Sequence, residues 1–275
     1  MTQPAPGQLL SAFLPEAAGI KACCAQLYES DWARWLLGDS FHPGGLALTE
    51  RLGVMLGLQP GQHVLDVAAG HGASAIFLAQ RFGCDVLGVE YGSRAVAQAT
   101  EAARAAGVDG RVRFDLGDAE ALPVERGVFD AVICECAFCT FPDRLAAAGE
   151  FARCLRPGGR VGLSDLTRAG ALPEGLNTLL AWIACIAAAQ PIEGYQTDMD
   201  SAGLEMKQVE RHDEALVAMI ESIRMRLMAA ELMARLKGLD LGGVDFEQAR
   251  VLARLAAESA QNGRLGYALF VASKP

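Results

Sequence analysis

Short apolar runs alternate with amphipathic stretches between residues 63 and 189. The run "HVLDV" enters a glycine-rich turn and then the helical stretch "SAIFLAQRFG", and "CDVLGVEYG" comes before an alanine-rich stretch over 94–106. The alternation continues through a helix predicted over 143–155 and another over about 173–189. Strands that alternate with helices are typical of a doubly wound α/β fold. The pattern therefore predicts a parallel sheet with helices on both faces.

The pattern changes on both sides of this alternating region. Residues 21–58 carry helical periodicity, and 203–210 is predicted as a further strand. Two helical stretches, 213–237 and 246–261, come before a last predicted strand in "GRLGYALFVASKP". We therefore expect a helical cap or lid over 1–58 and a main domain over 59–275, with a helical insertion over about 211–262 before the last strand.

Composition and charge narrow the classes of function. The 275-residue chain is 52% hydrophobic and carries a formal net charge of −9, so it is predicted to be globular and to repel nucleic acid on average. No apolar run approaches the roughly 20 residues of a membrane span. The N-terminus lacks the basic and apolar regions of a signal peptide. We expect a cytoplasmic protein that binds a small molecule, with no nucleic-acid or membrane partner, and we predict no oligomeric state.

The loops after the first three predicted strands carry nucleoside-binding chemistry. In "DVAAGHG", Gly70 and Gly72 allow close approach of the backbone to a ligand, and the next helix presents free N–H groups. Glu90 ends the second strand, where an acidic side chain suits two ribose hydroxyls. In "GDAEALP", Asp118 can accept from an exocyclic amine while the Ala119 N–H donates to a ring nitrogen. Because strand ends meet at one edge of the sheet, these groups are predicted to form one site.

Four segments, "VLDVAAGHG", "VLGVE", "GDAEALP" and "FARCLRPGGRVGLSD", resemble class I S-adenosylmethionine-dependent methyltransferases in order and spacing. The resemblance covers about 60–165 and implies a seven-stranded, mostly parallel, Rossmann-like sheet with S-adenosylmethionine as cofactor. It implies that the first turn contacts the methionine part, Glu90 the ribose, and Asp118 with Ala119 the adenine. The residues assigned to the donor site are Asp66, Ala68, Gly70, Gly72, Glu90, Tyr91, Asp118, Ala119 and Glu135.

A dinucleotide-binding dehydrogenase is the competing interpretation of these loops, because it also uses a glycine-rich first turn and an acidic residue after strand two. Its G-x-G-x-x-G pattern would place glycine where this chain has Ala75. The segments "GDAEALP" and "LRPGGR" have no role in such a dehydrogenase and favour the methyltransferase. Ala68 stands where the methyltransferase family commonly has glycine, and its small side chain keeps the turn passable.

Three cysteines fall within "ICECAFCTF", after the fourth predicted strand. Cys134 is interpreted as a small buried residue, whereas Cys136 lies just beyond the carboxyl end of the strand. A redox CxxC of Cys136 and Cys139 has no other support. A structural zinc site needs a second pair of cysteines at suitable spacing, and apart from Cys23 and Cys24 we find none, so no metal site is predicted. The remaining interpretation is that thiolates bind a soft, thiophilic substrate.

The segment "DAVICECAFCTFPDR" is similar to the strand-four region of arsenite methyltransferases, in which a cysteine stands in a run that ends in Pro-Asp. This resemblance assigns Cys136, a helical Cys185 and, from the N-terminal "KACC", Cys24 to a trivalent arsenic substrate. Glu135 departs from the usual Asn of that family. The resemblance implies methylation of As(III). The alternatives are methylation of a small organic molecule, with incidental cysteines, and a non-catalytic thiol–metal binding module.

Two further groups have open interpretations. In "GDSFHPGG", Asp39, Ser40 and His42 either belong to a lid that reaches the donor or the substrate, or serve as turn and capping residues. Asp165, at the end of the fifth predicted strand, is interpreted as a structural or supporting residue.

Overall fold

The computed structural model describes residues 21, 35, 41–173, 175–176, 185–237 and 246–275. Seven strands of this part of the chain form one sheet. They are β1 (His63–Val67), β2 (Asp85–Glu90), β3 (Val112–Leu116), β4 (Phe129–Glu135), β5 (Leu155–Arg168), β6 (Glu205–Arg211) and β7 (Leu265–Ser273). Their order in the sheet is β3-β2-β1-β4-β5-β7-β6. The predicted seven-stranded, Rossmann-like sheet is thereby confirmed.

The direction of one strand differs from the prediction. β1 pairs in parallel with β2 and β4, β2 with β3, and β4 with β5. β7 instead runs antiparallel to both β5 and β6. The prediction of a mostly parallel sheet is therefore wrong, and the sheet is mixed. A hydrophobic pattern marks which positions face a core, but it does not encode the direction in which a strand enters the sheet.

Helices connect most of these strands. They are α1 (Gly45–Met55), α2 (Ala73–Phe82), α3 (Ser93–Ala105), a short 3-10 helix (Phe138–Thr140), α4 (Arg144–Cys154), α5 (Ile192–Ser201), α6 (Asp213–Lys237) and α7 (Phe246–Gln261). None of the described helices combines the length and the apolar character needed to cross a bilayer. The boundary between a cap over 1–58 and a domain over 59–275 stays a prediction, because most of the first 40 residues lie outside the described chain.

The core lies around the central strands β1 and β4. Val64 and Leu65 in β1 and Val132 and Ile133 in β4 are all buried. Strands buried on both faces appear in a sequence as continuous apolar runs, which is why these two could be predicted. Their carboxyl ends, held by the core, position the loops that follow them.

The helix predicted over about 173–189 is wrong in its described part. Residues 185–188 form a turn, and Cys185 has a φ angle of 62°, in the left-handed region. An apolar stretch of this length fits a buried irregular segment as well as a helix, and periodicity alone does not separate the two. Cys185 is therefore not a helical residue, and a turn sets its position.

Candidate active site

A pocket opens at the carboxyl edge of the sheet, where β1, β2, β3 and β4 end. Its wall comes from the loops after these strands, within 66–74, 89–91, 117–119 and 135–142. Lys21, Phe41 and His42 also line it. Eight of the nine residues predicted for the donor site lie in this wall, and Gly72 is the exception. The predicted loops therefore meet in one place.

The turn after β1 bends through left-handed backbone conformations. Ala68 and Gly70 have φ angles of 60° and 54°. Gly72 has a φ angle of 80°, and a Cβ atom added there would lie 2.5 Å from Cζ of Phe114. Gly72 therefore makes room for Phe114 on β3, and its contact with the donor stays a prediction. Its role in the site is to let the turn pack closely on the sheet.

The Glu90 carboxylate ties the first two loops together. Its Oε2 accepts from the Gly70 N–H at 2.9 Å, and its Oε1 accepts from the Gly92 N–H at 3.0 Å. These two bonds orient the carboxylate in the pocket wall, where the assignment to two ribose hydroxyls requires it.

Four acidic side chains line the pocket; Asp118 is paired with Lys21, and Asp66, Glu90 and Glu135 make the rest of the wall acidic. Burial raises the pKa of Asp66 well above its usual range, and the charges of Glu135 and Glu90 raise it further. Asp66 is 2% exposed, and its Oδ2 has no hydrogen-bond partner among the described residues. A buried carboxylate oxygen beside two other acids suits a ligand that brings positive charge and hydrogen-bond donors.

Hydroxyl groups from two helices hold the Glu135 carboxylate. Ser74 Oγ on α2 donates to Oε2 at 2.5 Å, and Thr49 Oγ1 on α1 lies 3.1 Å from the same atom. His42 Nε2 lies 3.6 Å from Oε2, and His42 is buried in the pocket wall. Sequence reasoning did not find Thr49 or Ser74, because a single hydroxyl residue on a helix forms no recognisable motif.

His42 came from the segment that was predicted either as a lid or as a turn. Its Nδ1 lies 3.2 Å from the Pro43 carbonyl oxygen, which fits a turn, while its ring also contributes to the pocket wall. The two interpretations are therefore compatible for His42. Asp39 and Ser40 lie outside the described residues.

Lys21 reaches the predicted adenine end of the pocket. Its Nζ lies 2.9 and 2.7 Å from the two Asp118 carboxylate oxygens and 2.6 Å from Glu120 Oε2. Its side chain is only 15% exposed. No local signal indicates this contact, because Lys21 and Asp118 are 97 residues apart in the sequence.

Two of the predicted substrate thiols lie together beside the pocket. Cys136 Sγ is 4.0 Å from Cys185 Sγ, and Cys185 Sγ donates to the Cys136 carbonyl oxygen at 3.3 Å. Cys136 lines the pocket, while Cys185 is 2% exposed. The neighbouring Cys185 thiol and burial raise the pKa of Cys136 well above its usual range. Cys24, the third predicted thiol, lies outside the described residues.

Asp165 on β5 adjoins this thiol pair. It is fully buried, and its Oδ2 and Oδ1 accept from the backbone N–H groups of Cys139 and Leu166 at 2.8 and 2.9 Å. Burial and the nearby Cys185 raise the pKa of Asp165 to about 7. The carboxylate therefore supports the 3-10 helix that follows β4 and also faces the thiols.

The other two cysteines of "ICECAFCTF" differ in their surroundings. Cys134 is a fully buried residue of β4, paired with Leu163 of β5, which fits its interpretation as a packing residue. Cys139 is also fully buried, but its Sγ lies 3.8 Å from the Cys185 carbonyl oxygen. Cys139 therefore touches the thiol pair.

Comparison with known proteins decides the family. Residues 64–159 match the model of a methyltransferase domain family. Over 233 residues the chain is 33% identical to 27-O-demethylrifamycin SV methyltransferase of Amycolatopsis mediterranei (strain S699), and the alignment covers 83% of each protein. The chain belongs to the class I S-adenosylmethionine-dependent methyltransferases. The competing dehydrogenase interpretation is therefore wrong, as is the non-catalytic module.

More distant relatives of this methyltransferase differ in their acceptors. The arsenite methyltransferase of Halobacterium salinarum (strain ATCC 700922 / JCM 11081 / NRC-1) is 27% identical over 73% of this chain and 54% of its own length. Phosphoethanolamine N-methyltransferase 2 of Haemonchus contortus was solved with phosphomonomethylethanolamine and S-adenosylhomocysteine. It has a TM-score of 0.74 at 21% identity, covering 97% of this chain and 59% of its own. This structural likeness shows a shared fold.

The pocket of the methyltransferase fits its donor, S-adenosylmethionine. The donor carries a sulfonium and an ammonium group, and the pocket offers the Asp66 oxygen that lacks a described partner, together with Glu90 and Glu135. Opposite charges at close range stabilise each other, most strongly where water is excluded. The assignment of each residue to one part of the donor stays a prediction.

Proposed function

We propose that this methyltransferase transfers the methyl group to trivalent arsenic held by Cys136 and Cys185. The observation that carries the proposal is the 4.0 Å distance between the two Sγ atoms, with Cys136 in the wall of the donor pocket. The two thiols come from segments 49 residues apart, and they meet beside the pocket that we assign to the donor.

The chemistry of As(III) suits a thiol pair without a base. Thiolates are the ligands that soft centres prefer. Each thiol replaces one hydroxide of arsenous acid, forms an S–As bond, and gives its proton to the departing hydroxide, which leaves as water. The bound arsenic keeps a lone pair that serves as the nucleophile, so no proton has to be removed from it. The protein contributes proximity and alignment. We retain Cys24 as a third thiol of this site.

Two relatives give different support. The arsenite methyltransferase of Halobacterium salinarum aligns with 73% of this chain, which favours a metalloid acceptor. The second candidate is a small organic acceptor, because the chain is more similar, at 33% identity, to a relative named for an O-demethylated rifamycin. In that case the thiols would be incidental residues beside the pocket.

A methylation assay with As(III), glutathione and S-adenosylmethionine tests the proposal. We expect methylarsenicals from the wild type and a loss of this product with Cys136→Ser or Cys185→Ser. Donor affinity in calorimetry should stay unchanged in both variants, because other loops hold the donor. The matched control is Cys154→Ser, a buried cysteine of α4 whose Sγ contacts the Phe151 carbonyl oxygen.

Two outcomes contradict the arsenic proposal. One is full arsenite methylation by both variants, and the other is a wild type that binds the donor but never methylates arsenite. The second outcome favours the organic acceptor. Cys139→Ser is not a suitable control here, because Cys139 contacts Cys185.

A further inference from the structure

The two thiols have a third neighbour with a ligand atom. Cys136 Sγ, Cys185 Sγ and a carboxylate oxygen of Asp165 all lie within 4.8 Å of one another. Asp165 and Cys185 are buried, and Cys136 opens onto the donor pocket. We propose that Cys136, Cys185 and Asp165 form a binding site for a divalent thiophilic cation of the Zn²⁺ class.

The spacing of the sulfur atoms suits a tetrahedral centre. Two thiolates at about 2.3 Å from a tetrahedral Zn²⁺ lie about 3.8 Å apart. The two Sγ atoms are 4.0 Å apart, so a shift of a few tenths of an ångström brings them to that separation. A carboxylate oxygen binds Zn²⁺ at about 2.0–2.2 Å. The Asp165 carboxylate is close enough to supply this third bond after a small movement of its side chain.

The chain fixes the orientation of the Asp165 carboxylate. Backbone N–H groups of Cys139 and Leu166 donate to its two oxygens. Ligating carboxylates are commonly held by hydrogen bonds of this kind, which aim the ligand and lower the cost of binding. Asp165 also comes from β5, next to β4, and Cys136 directly follows the end of β4, so the rigid sheet keeps the two residues together.

The charge and the open side of the site also suit a divalent cation. The two thiols release their protons to water on binding, and two thiolates with one carboxylate then leave a net charge of −1 around a divalent ion. Cys136 lines the donor pocket, so the fourth position of the cation is expected on that side, for water or a pocket ligand. Three protein ligands with one open position are typical of zinc sites that act on a bound molecule.

The sequence predicted no metal site, because only cysteine pairs were considered as ligands. The missing ligand is a carboxylate on a neighbouring strand, which no cysteine spacing reveals. Cys139 is the alternative third ligand, since its Sγ lies 3.8 Å from the Cys185 carbonyl oxygen and it is fully buried. We favour Asp165, because Cys139 is not among the ligand atoms that lie within 4.8 Å of one another.

Titration of the full, reduced chain with Co²⁺ tests the site without any activity assay. We expect a thiolate-to-Co²⁺ charge-transfer band and the intense visible bands of a tetrahedral centre. Cys136→Ser and Cys185→Ser should each lower the charge-transfer band to about half or less, because one thiolate remains, and Asp165→Asn should weaken Co²⁺ binding by about tenfold or more. Cys154→Ser, a buried cysteine elsewhere, should leave the titration unchanged.

X-ray absorption of the Zn²⁺-loaded wild type identifies the ligands directly. This measurement does not require that the Asp165→Asn variant folds. Two sulfur ligands at about 2.3 Å with lighter ligands at about 2.0 Å are expected. Three sulfur ligands would overturn the role of Asp165. A wild type without a charge-transfer band, or a band that keeps its full intensity in both cysteine variants, would overturn the site. Zn²⁺ and As(III) would compete for the same two thiols, so the site holds one or the other at a time. These results do not depend on arsenite turnover, so the proposed function and this inference can fail separately.

Discussion

Lys21 Nζ lies 2.7 Å from Asp118 Oδ2, on the carboxylate that we assign to the adenine of the donor. The adenine amine and the lysine therefore compete for the same acceptor. Lys21→Met should tighten donor binding about two- to tenfold, the equivalent of about 0.5–1.5 kcal/mol for one hydrogen bond. Calorimetry with S-adenosylmethionine measures this change. Lys207→Met, which removes an exposed pair with Glu205, is the control, and weaker donor binding in Lys21→Met would contradict the competition.

The Glu90 carboxylate should contribute a large part of the binding free energy of the donor. Its carboxylate is held by the N–H groups of Gly70 and Gly92 and faces the pocket. Glu90→Ala should weaken donor binding by about 1–3 kcal/mol, the loss expected for hydrogen bonds to a charged group. Glu101→Ala, on the exposed side of α3, serves as the control for removal of an acid. Unchanged affinity in Glu90→Ala would remove this residue from the donor site.

Gly72 and Gly107 form a matched pair for testing the packing of the first turn. Both have positive φ angles, of 80° and 68°, so an alanine at either position costs about 1–2 kcal/mol of backbone strain. Only at Gly72 would the new Cβ meet Phe114, at 2.5 Å, whereas nothing lies within 4 Å at Gly107. Gly72→Ala should therefore lose about 1–3 kcal/mol more in urea unfolding. Equal losses would mean that Phe114 moves aside without cost.

Asp66 should release a proton when the donor binds. Burial and two neighbouring acids raise its pKa in the donor-free pocket, whereas the positive charges of the donor favour its ionised form. Donor affinity should therefore rise as the pH rises toward the raised pKa of the empty pocket. Calorimetry in buffers of different ionisation enthalpy should detect the released proton. Asp66→Asn should bind the donor without proton release, and an unchanged signal in this variant would assign the proton to another group.

The Asp66 carboxyl group also makes the stability of the donor-free protein depend on pH. Its pKa is higher in the folded state than in the unfolded chain, so the folded state binds more protons between the two values. The contribution of Asp66 to the free energy of unfolding is therefore greatest below the unfolded pKa and falls as the pH rises through the folded pKa. Urea unfolding at several pH values should show a smaller decline in Asp66→Asn than in the wild type.

The sequence could predict the donor loops because their chemistry is local. Gly70 stands in the turn after β1 and Glu90 is the last residue of β2, and the topology of the sheet brings strand ends together. Thr49 and Lys21 could not be predicted, because they reach Glu135 and Asp118 across 86 and 97 residues of chain. Their positions depend on how the N-terminal segments pack on the finished sheet.

The thiol pair could be predicted from the sequence only in part. The resemblance to arsenite methyltransferases placed Cys136 and Cys185 at matching landmarks, and the structure brings their Sγ atoms to 4.0 Å. The resemblance did not indicate that Cys185 stands in a turn, or that Asp165 lies with Cys136 and Cys185 in one cluster. Both depend on the packing of a segment after β5, which no periodicity describes.

Cys136 and Cys185 have φ angles of 54° and 62°, in the region where glycine costs least. Any residue with a Cβ gives up about 1 kcal/mol or more at such a position. A glycine at either position would relieve this strain but would remove a side chain that packs in or against the core. The backbone strain at these two turns is therefore part of what holds the two Sγ atoms 4.0 Å apart.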